Sequence, residues 1–221
     1  MPAANDRATL VAALEEQFDA LLELGRDLTE EQWGTPSEVP GWTVKDNFSH
    51  VIGTELMLLG RPDETIDIGD VEHVKNDIGT FNEVPIRTRS GKSGQEVLAE
   101  FALVAGERKA ALAAMSEADF DAESFTPAGK DTYGRFMQIR VFDCWIHEQD
   151  CREALGLPGH TSGAAVVDDL DDPTTTVTMP TTLWFRFAAG RRPGDPSHAD
   201  VTIEGDQALG ESVVTNPAYT I

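Results

Sequence analysis

The sequence has few basic residues, few cysteines and no long apolar run. Of its 221 residues, 17 are Lys or Arg and 39 are Asp or Glu, so the formal net charge is −22. A surface with this charge repels phosphate backbones and anionic membranes, so neither nucleic acid nor a membrane is an expected partner. No stretch approaches the roughly 18 consecutive apolar residues that a spanning helix needs. The N-terminal residues do not resemble a signal peptide, so a cytoplasmic protein is expected.

The two cysteines, Cys144 and Cys151, lie seven residues apart in one predicted helix. At about 1.5 Å of rise per residue, they are separated by roughly 10 Å along the helix axis, which is too far for a disulfide. The sequence therefore predicts two small buried thiols.

Four long amphipathic patterns fill the first two thirds of the chain. They predict helices over about residues 6–28, 43–59, 94–115 and 133–155. Thr43 followed by Asp46 indicates a capping box at the start of the second helix, and the run from Gly156 to Gly159 ends the fourth. Residues 62–90 are predicted to form a polar loop, in which residues 70–77 are compatible with a short helix. Residues 127–129 are predicted to lie in another loop.

The composition changes after residue 159. Residues 159–180 are rich in Gly, Asp and Thr and predict a linker or a weak strand. A helix over 181–189, a strand over 199–204 and a short helix to about residue 214 follow. The predicted fold class is mainly α: a four-helix bundle over residues 1–159 and a small α+β region over residues 160–221.

The fourth predicted helix carries a polar stripe. On a helical wheel, Arg140, Asp143, His147 and Asp150 fall within roughly 80°, and apolar residues border them on both sides. Such a stripe indicates charged groups directed into a bundle interior or a cleft. Asp143 and His147 are one turn apart, so they form either an intrahelical pair or two ligands of a divalent metal.

His50 lies on the second predicted helix, away from its apolar stripe. It is therefore either exposed or directed at a second neighbour, which Gly53 would allow to approach closely. Together with Asp143 and His147 it would complete a three-ligand site with positions open for water or substrate, as in catalytic metal sites. Imidazole nitrogen and carboxylate oxygen suit zinc, and also nickel, iron or manganese.

Three residues near these ligands have two interpretations each. Arg140 either pairs with Asp143 or holds an anionic substrate beside the metal. Trp42 is a packing residue or part of a binding platform, and packing is favoured. Asp46 stabilises the start of its helix or supports a ligand. The remaining histidines fall in predicted loops, where solvent exposure is expected: His73, His160 and His198.

Two segments resemble the mycothiol-dependent maleylpyruvate isomerase family, part of the DinB-like four-helix superfamily. They are VPGWTVKD, from Val39 to Asp46 and followed by His50, and RVFDCWIHEQD, from Arg140 to Asp150. The resemblance covers about residues 8–159 and implies a DinB-like bundle. It also implies metal ligands at His50, Asp143 and His147, with mycothiol as the thiol cofactor.

The chain departs from the family pattern at two places. The isomerase prototype has Glu where this chain has Asp143. Residues 183–191 and 201–206 resemble the closing part of the family's C-terminal domain, whereas the strand-rich stretch that precedes it is predicted to be largely missing between residues 160 and 178. Arg191 is the candidate on the substrate side in this region.

The expected function is that of a metal-dependent and mycothiol-dependent isomerase or S-transferase. Its expected metal is zinc, and its expected partners are a small thiol and a small electrophilic, carboxylated substrate. Two alternatives stay open: a metal-dependent hydrolase on the same bundle, and a non-catalytic DinB-like binding or stress-response protein. The sequence is compatible with a monomer or a homodimer.

Overall fold

A computed structural model describes residues 6–160 and 174–216 of the chain. The chain divides into two units, Met1–Pro158 and Gly159–Ile221. The described helices of the first unit are α1 (Arg7–Gly25), α2 (Glu30–Trp33), α3 (Val44–Leu58), α4 (Asp77–Arg89), α5 (Gly94–Ala114), α6 (Glu117–Asp121) and α7 (Tyr133–Ala154). Within the described residues, no helix is both long enough and apolar enough to cross a membrane.

The four long helices α1, α3, α5 and α7 pack against one another as a bundle. Their apolar faces meet in one core, which includes Phe18, Phe48 and Phe101 from three of these helices and Trp33 from α2. Each helix begins at a side chain that accepts a backbone N–H of its first turn, and these N-cap residues are Asp6, Thr43, Ser93 and Thr132. Periodic apolar residues and capping signals therefore place the four helices where the sequence predicts them.

The predicted loop over residues 62–90 is wrong, because its second half forms α4. Asn76 caps this helix by accepting the N–H of Gly79, and Pro85 lies inside it. An internal proline removes one helical hydrogen bond, so tertiary contacts have to compensate. The helix packs on α3, and its buried last residue, Arg89, forms ion pairs with the partly exposed Asp63 and Glu100 at 2.7 and 2.8 Å.

The predicted loop at residues 127–129 is the turn of a hairpin. Its strands are β1 (Glu123–Thr126) and β2 (Gly129–Thr132), paired antiparallel with Phe125 opposite Lys130. Gly129 has a positive φ of 108°, which glycine tolerates without steric cost. The hairpin leads directly into α7.

Gly53 permits the close packing of α3 on α4. A Cβ atom at this position would lie 2.1 Å from Cγ of Pro85. The proline ring cannot yield as a flexible side chain would, so Gly53→Ala is expected to lower the free energy of unfolding by about 1–3 kcal/mol through overpacking. Denaturant unfolding measures this change.

Gly106→Ala on α5 is the matched control, because a Cβ there would meet nothing within 4 Å. Alanine is the better helix former by up to about 1 kcal/mol, so this variant is expected to be more stable than the parent. If Gly53→Ala stabilises the protein as Gly106→Ala does, the conclusion that α4 packs too closely at Gly53 to accept a Cβ atom is contradicted.

The second unit combines a two-stranded sheet with two helices. Its described elements are β3 (Thr175–Thr178), α8 (Thr181–Ala188), β4 (Thr202–Gly205) and α9 (Gln207–Thr215). The strands are antiparallel with Val177 opposite Ile203, and Leu183, Phe187 and Val214 form the small core. The predicted α+β character is confirmed. The stretch predicted to be shortened lies mostly outside the described residues, which resume at residue 174.

Candidate metal centre

His50 from α3 and the pair Asp143 and His147 from α7 converge in the bundle. The Nε2 atom of His50 lies 3.3 Å from Oδ2 of Asp143, and Nε2 of His147 lies 3.7 Å from Oδ1 of the same carboxylate. One ligand atom from each of the three residues lies within 4.8 Å of the others. His50 therefore faces a neighbouring helix, which is the second of its two predicted alternatives.

The protonation states of His50 and Asp143 suit a cation. Burial lowers the pKa of His50 to about 4, so its imidazole is neutral at neutral pH. Burial acts to raise the pKa of Asp143. The charge on Arg140 and the contact with His50 outweigh burial and hold the pKa of Asp143 well below its ordinary value. A neutral imidazole and an ionised carboxylate are the forms that bind metal.

Arg140 is a partner of Asp143 rather than an exposed anion-binding group. The residue is 2% exposed, and its guanidinium donates to Oδ2 of Asp143 and, at 2.7 and 2.9 Å, to Oε1 of Glu55. It also donates to Sγ of Cys144 at 3.3 Å. Burial acts to lower the pKa of Arg140, yet Cys144, Glu55 and Asp143 raise it. The guanidinium thus fixes the carboxylate that faces the two histidines.

Glu55 is a buried carboxylate that the sequence interpretation missed. It is 0% exposed and accepts from Arg140 through Oε1 and from Arg108 of α5 through Oε2, the latter at 2.6 Å. The carboxylate therefore ties α3 to both α5 and α7. The available signal was a single acidic residue in the otherwise uncharged stretch from Val51 to Leu59.

Asn47 also escaped the sequence interpretation. It lies three residues before His50 on α3, and its Oδ1 atom is 2.7 Å from Nδ1 of His147. Oδ2 of Asp150 lies 3.5 Å from the same ring nitrogen. An amide one turn before a candidate ligand on the same helix face was the signal that could have revealed it.

Trp42 both packs in the interior and covers the two histidine rings. Its ring is stacked on His147 with centroids 5.7 Å apart and lies 5.3 Å from His50. The indole N–H donates to Oε2 of Glu83 at 3.3 Å, and Nε2 of His73 lies 3.1 Å from the same oxygen. His73 lies in a loop, as predicted, and its side chain is 24% exposed, but its partner on α4 was missed because that residue was placed in a loop.

Asp46 serves its helix, as the first of its two interpretations predicts. Its Oδ2 accepts the N–H and the hydroxyl of Thr43 at 2.8 and 2.7 Å, which completes a capping box. This local pair sets where α3 begins, and hence where His50 lies along the helix.

Cys144 and Cys151 are free and buried, as predicted. Burial raises the pKa of both thiols, so neither is a nucleophile at neutral pH. Arg191 lies in the second unit and donates to the carbonyl of Ala189 at 3.0 Å. Its role on the substrate side stays a prediction.

Comparisons with known proteins point to one family. The family model described as mycothiol maleylpyruvate isomerase N-terminal domain matches residues 14–152. The crystal structure of a histidine-to-alanine mutant of the mycothiol-dependent maleylpyruvate isomerase is similar with a TM-score of 0.57 and 12% identity, over 90% of this chain and 93% of that chain. At this identity the likeness shows the fold alone, and it confirms the predicted DinB-like architecture. None of the curated proteins compared with the chain matches it.

Proposed function

Because the chain belongs to the mycothiol maleylpyruvate isomerase N-terminal domain family, we propose that it is a metal-dependent and thiol-dependent enzyme. The proposed reaction is isomerisation or S-transfer on a small electrophilic, carboxylated substrate, with mycothiol as the thiol. The observation that carries the proposal is the convergence of His50, Asp143 and His147 from two helices.

The residues present fit a divalent metal such as zinc. Two imidazoles and one carboxylate are a donor set that zinc favours, and three protein ligands leave a further position open. Nδ1 of His50 is a buried nitrogen without a hydrogen-bond partner among residues 6–160 and 174–216. The hydrogen bonds of the bundle therefore do not use both ring nitrogens of His50. A bound metal would lower the pKa of a coordinated thiol and so favour thiolate at neutral pH.

The surrounding side chains determine how the cluster is reached. The side chain of Asp143 is 27% exposed, whereas those of His50 and His147 are each 6% exposed. Trp42 lies against both histidine rings, so a thiol or substrate would approach past the carboxylate. Arg140 keeps this carboxylate ionised and oriented while a substrate is bound.

Thiol binding to protein loaded with cobalt tests the proposal. Adding mycothiol to the cobalt-loaded protein is expected to produce a thiolate-to-cobalt charge-transfer band, because sulfur would enter the open position. The zinc-loaded protein with mycothiol is then assayed for isomerisation of maleylpyruvate, the substrate named for the similar solved structure. Glutathione in place of mycothiol shows whether the site distinguishes the two thiols.

The outcomes separate the proposal from its alternatives. A metal-loaded protein that shows no band and no stabilisation with either thiol contradicts thiol dependence and favours hydrolysis by metal-bound water. A purified protein that binds no divalent metal contradicts the metal site and favours a non-catalytic binding protein. The His147→Ala variant, which lacks one ligand, is the control that ties the band to this site.

A further inference from the structure

The side chain of Asn47 has a defined orientation. Its Nδ2 donates to the backbone carbonyl of Thr43 and to Oγ of Ser37, both at 2.9 Å. A carbonyl oxygen can only accept, so the amide nitrogen has to face Thr43. The amide oxygen therefore faces His147, where it lies 2.7 Å from Nδ1. The residue is fully buried, so water cannot substitute for these contacts.

The orientation of this amide sets the position of a proton on His147. An amide oxygen accepts hydrogen bonds and donates none, so Nδ1 of His147 has to carry hydrogen to form the 2.7 Å contact. In the neutral ring, the other nitrogen then has a free lone pair. That nitrogen, Nε2, is the atom that faces Oδ1 of Asp143 at 3.7 Å.

A lone pair and an ionised carboxylate that face each other repel unless a cation lies between them. The carboxylate of Asp143 accepts from the guanidinium of Arg140 through Oδ2, and its other oxygen, Oδ1, faces Nε2 of His147. The amide of Asn47 therefore prepares the Nε2 side of His147 for a metal before any metal arrives.

We propose that Asn47 is a positioning residue that fixes the Nδ1–H tautomer of His147 and so makes Nε2 its metal-binding atom. This inference deepens the proposed function and rests on its metal site. The two histidines differ in this respect, because among the described residues Nδ1 of His50 has no hydrogen-bond partner. Asn47 thus fixes the ring of His147 through Nδ1, whereas the ring of His50 is held by its contacts with Trp42 and Asp143.

Asp150 is the other acceptor near the same nitrogen. Its Oδ2 lies 3.5 Å from Nδ1 of His147, beyond the range of about 2.7–3.2 Å for a good N–H···O bond. The contact to Asn47 is well within that range. Asn47 is therefore the main acceptor of the ring proton.

Two measurements test this role, and the first needs no metal. Long-range ¹H–¹⁵N correlation spectra of the metal-free protein report the tautomer of each histidine, and a His147→Gln variant assigns the signals. We expect the Nδ1–H pattern for His147 in the parent and its loss in Asn47→Leu, which keeps a similar volume without an acceptor. Zinc affinity of Asn47→Leu is expected to fall about 10–100-fold, as for other partners that orient a metal ligand.

Ser49→Ala is the matched control. Ser49 is also buried on α3 and also donates to the carbonyl four residues earlier, that of Lys45 at 2.9 Å. Its removal is expected to change zinc affinity by less than about twofold, since the hydroxyl contacts no ligand.

An Nε2–H pattern for His147 in the parent overturns the inference. So does an Asn47→Leu variant that keeps both the tautomer and the zinc affinity, because Asp150 would then hold the ring proton. A parent that shows the expected tautomer and loses it in Asn47→Leu, yet binds no metal, contradicts the proposed function and leaves the tautomer assignment to Asn47 in place.

Discussion

Replacing Glu55 with glutamine is expected to lower the free energy of unfolding by about 3–5 kcal/mol, the usual cost of breaking a buried ion pair by removing one partner. Glu55 is fully buried and is the acceptor for two guanidinium groups, those of Arg108 and Arg140. Glutamine keeps the volume but removes the negative charge, so two buried cations lose their shared counterion. A loss of this size is a large share of the free energy of unfolding of a typical native protein, which is about 5–15 kcal/mol.

Urea or guanidinium unfolding of the parent and Glu55→Gln measures the effect, and the midpoint and slope together show whether stability or the denatured state has changed. Glu107→Gln is the matched control, because Glu107 pairs with Arg61 at the surface, where the two side chains are 51% and 56% exposed. Exposed pairs contribute about 0–1 kcal/mol. Equal losses in the two variants would contradict the role given to the buried carboxylate.

The second large effect is the loss of bound metal when a ligand is removed. His50→Ala and His147→Ala are each expected to weaken zinc binding by more than about 100-fold, beyond the 10–100-fold typical of residues that only orient a ligand. The reason is that each variant leaves two of the three converging side chains. Elemental analysis of dialysed protein and competition with a chromogenic chelator measure metal content and affinity.

His198→Ala is the control for this experiment, because His198 lies in the second unit beside Asp200. It is expected to bind zinc as the parent does. A free metal concentration of about 1,000 times the Kd stabilises the folded protein by about 4 kcal/mol. A chelator is therefore expected to lower the melting temperature of the parent and of His198→Ala, but not that of His147→Ala. Unchanged metal content in both His50→Ala and His147→Ala would contradict the assignment of these residues as metal ligands.

The sequence predicted the bundle because its signals are local. Apolar periodicity places α1, α3, α5 and α7, and the pair Thr43 and Asp46 marks the start of α3 through contacts three residues apart. The three candidate ligands could be named for a different reason. Asp143 and His147 are visible as a pair on one helix, His50 lies away from the apolar stripe of its own helix, and the resemblance implies all three as ligands. Their convergence is a structural observation, and metal binding there is still a prediction.

The features that were missed depend on contacts between distant residues. α4 contains Pro85, which signals a helix break, and it is stabilised by its packing on α3 and by the ion pairs of Arg89 with Asp63 and Glu100. Glu55 meets its two arginines 53 and 85 residues further along the chain. No window of sequence contains such pairs, so local patterns could not reveal them. The partner of His73 was missed for the same reason, because Glu83 belongs to α4.

The separation of His50 and Asp143 along the chain determines when the site can exist during synthesis. The two residues are 93 positions apart, and α3 has left the ribosome long before α7 is made. At 5–20 residues per second, the interval is roughly 5–20 s, during which the half-site on α3 has no partner. A nascent chain that ends before Asp143 therefore contains only one of the three residues of the cluster, His50. Any metal held by all three residues would therefore be acquired only after α7 has docked on α3.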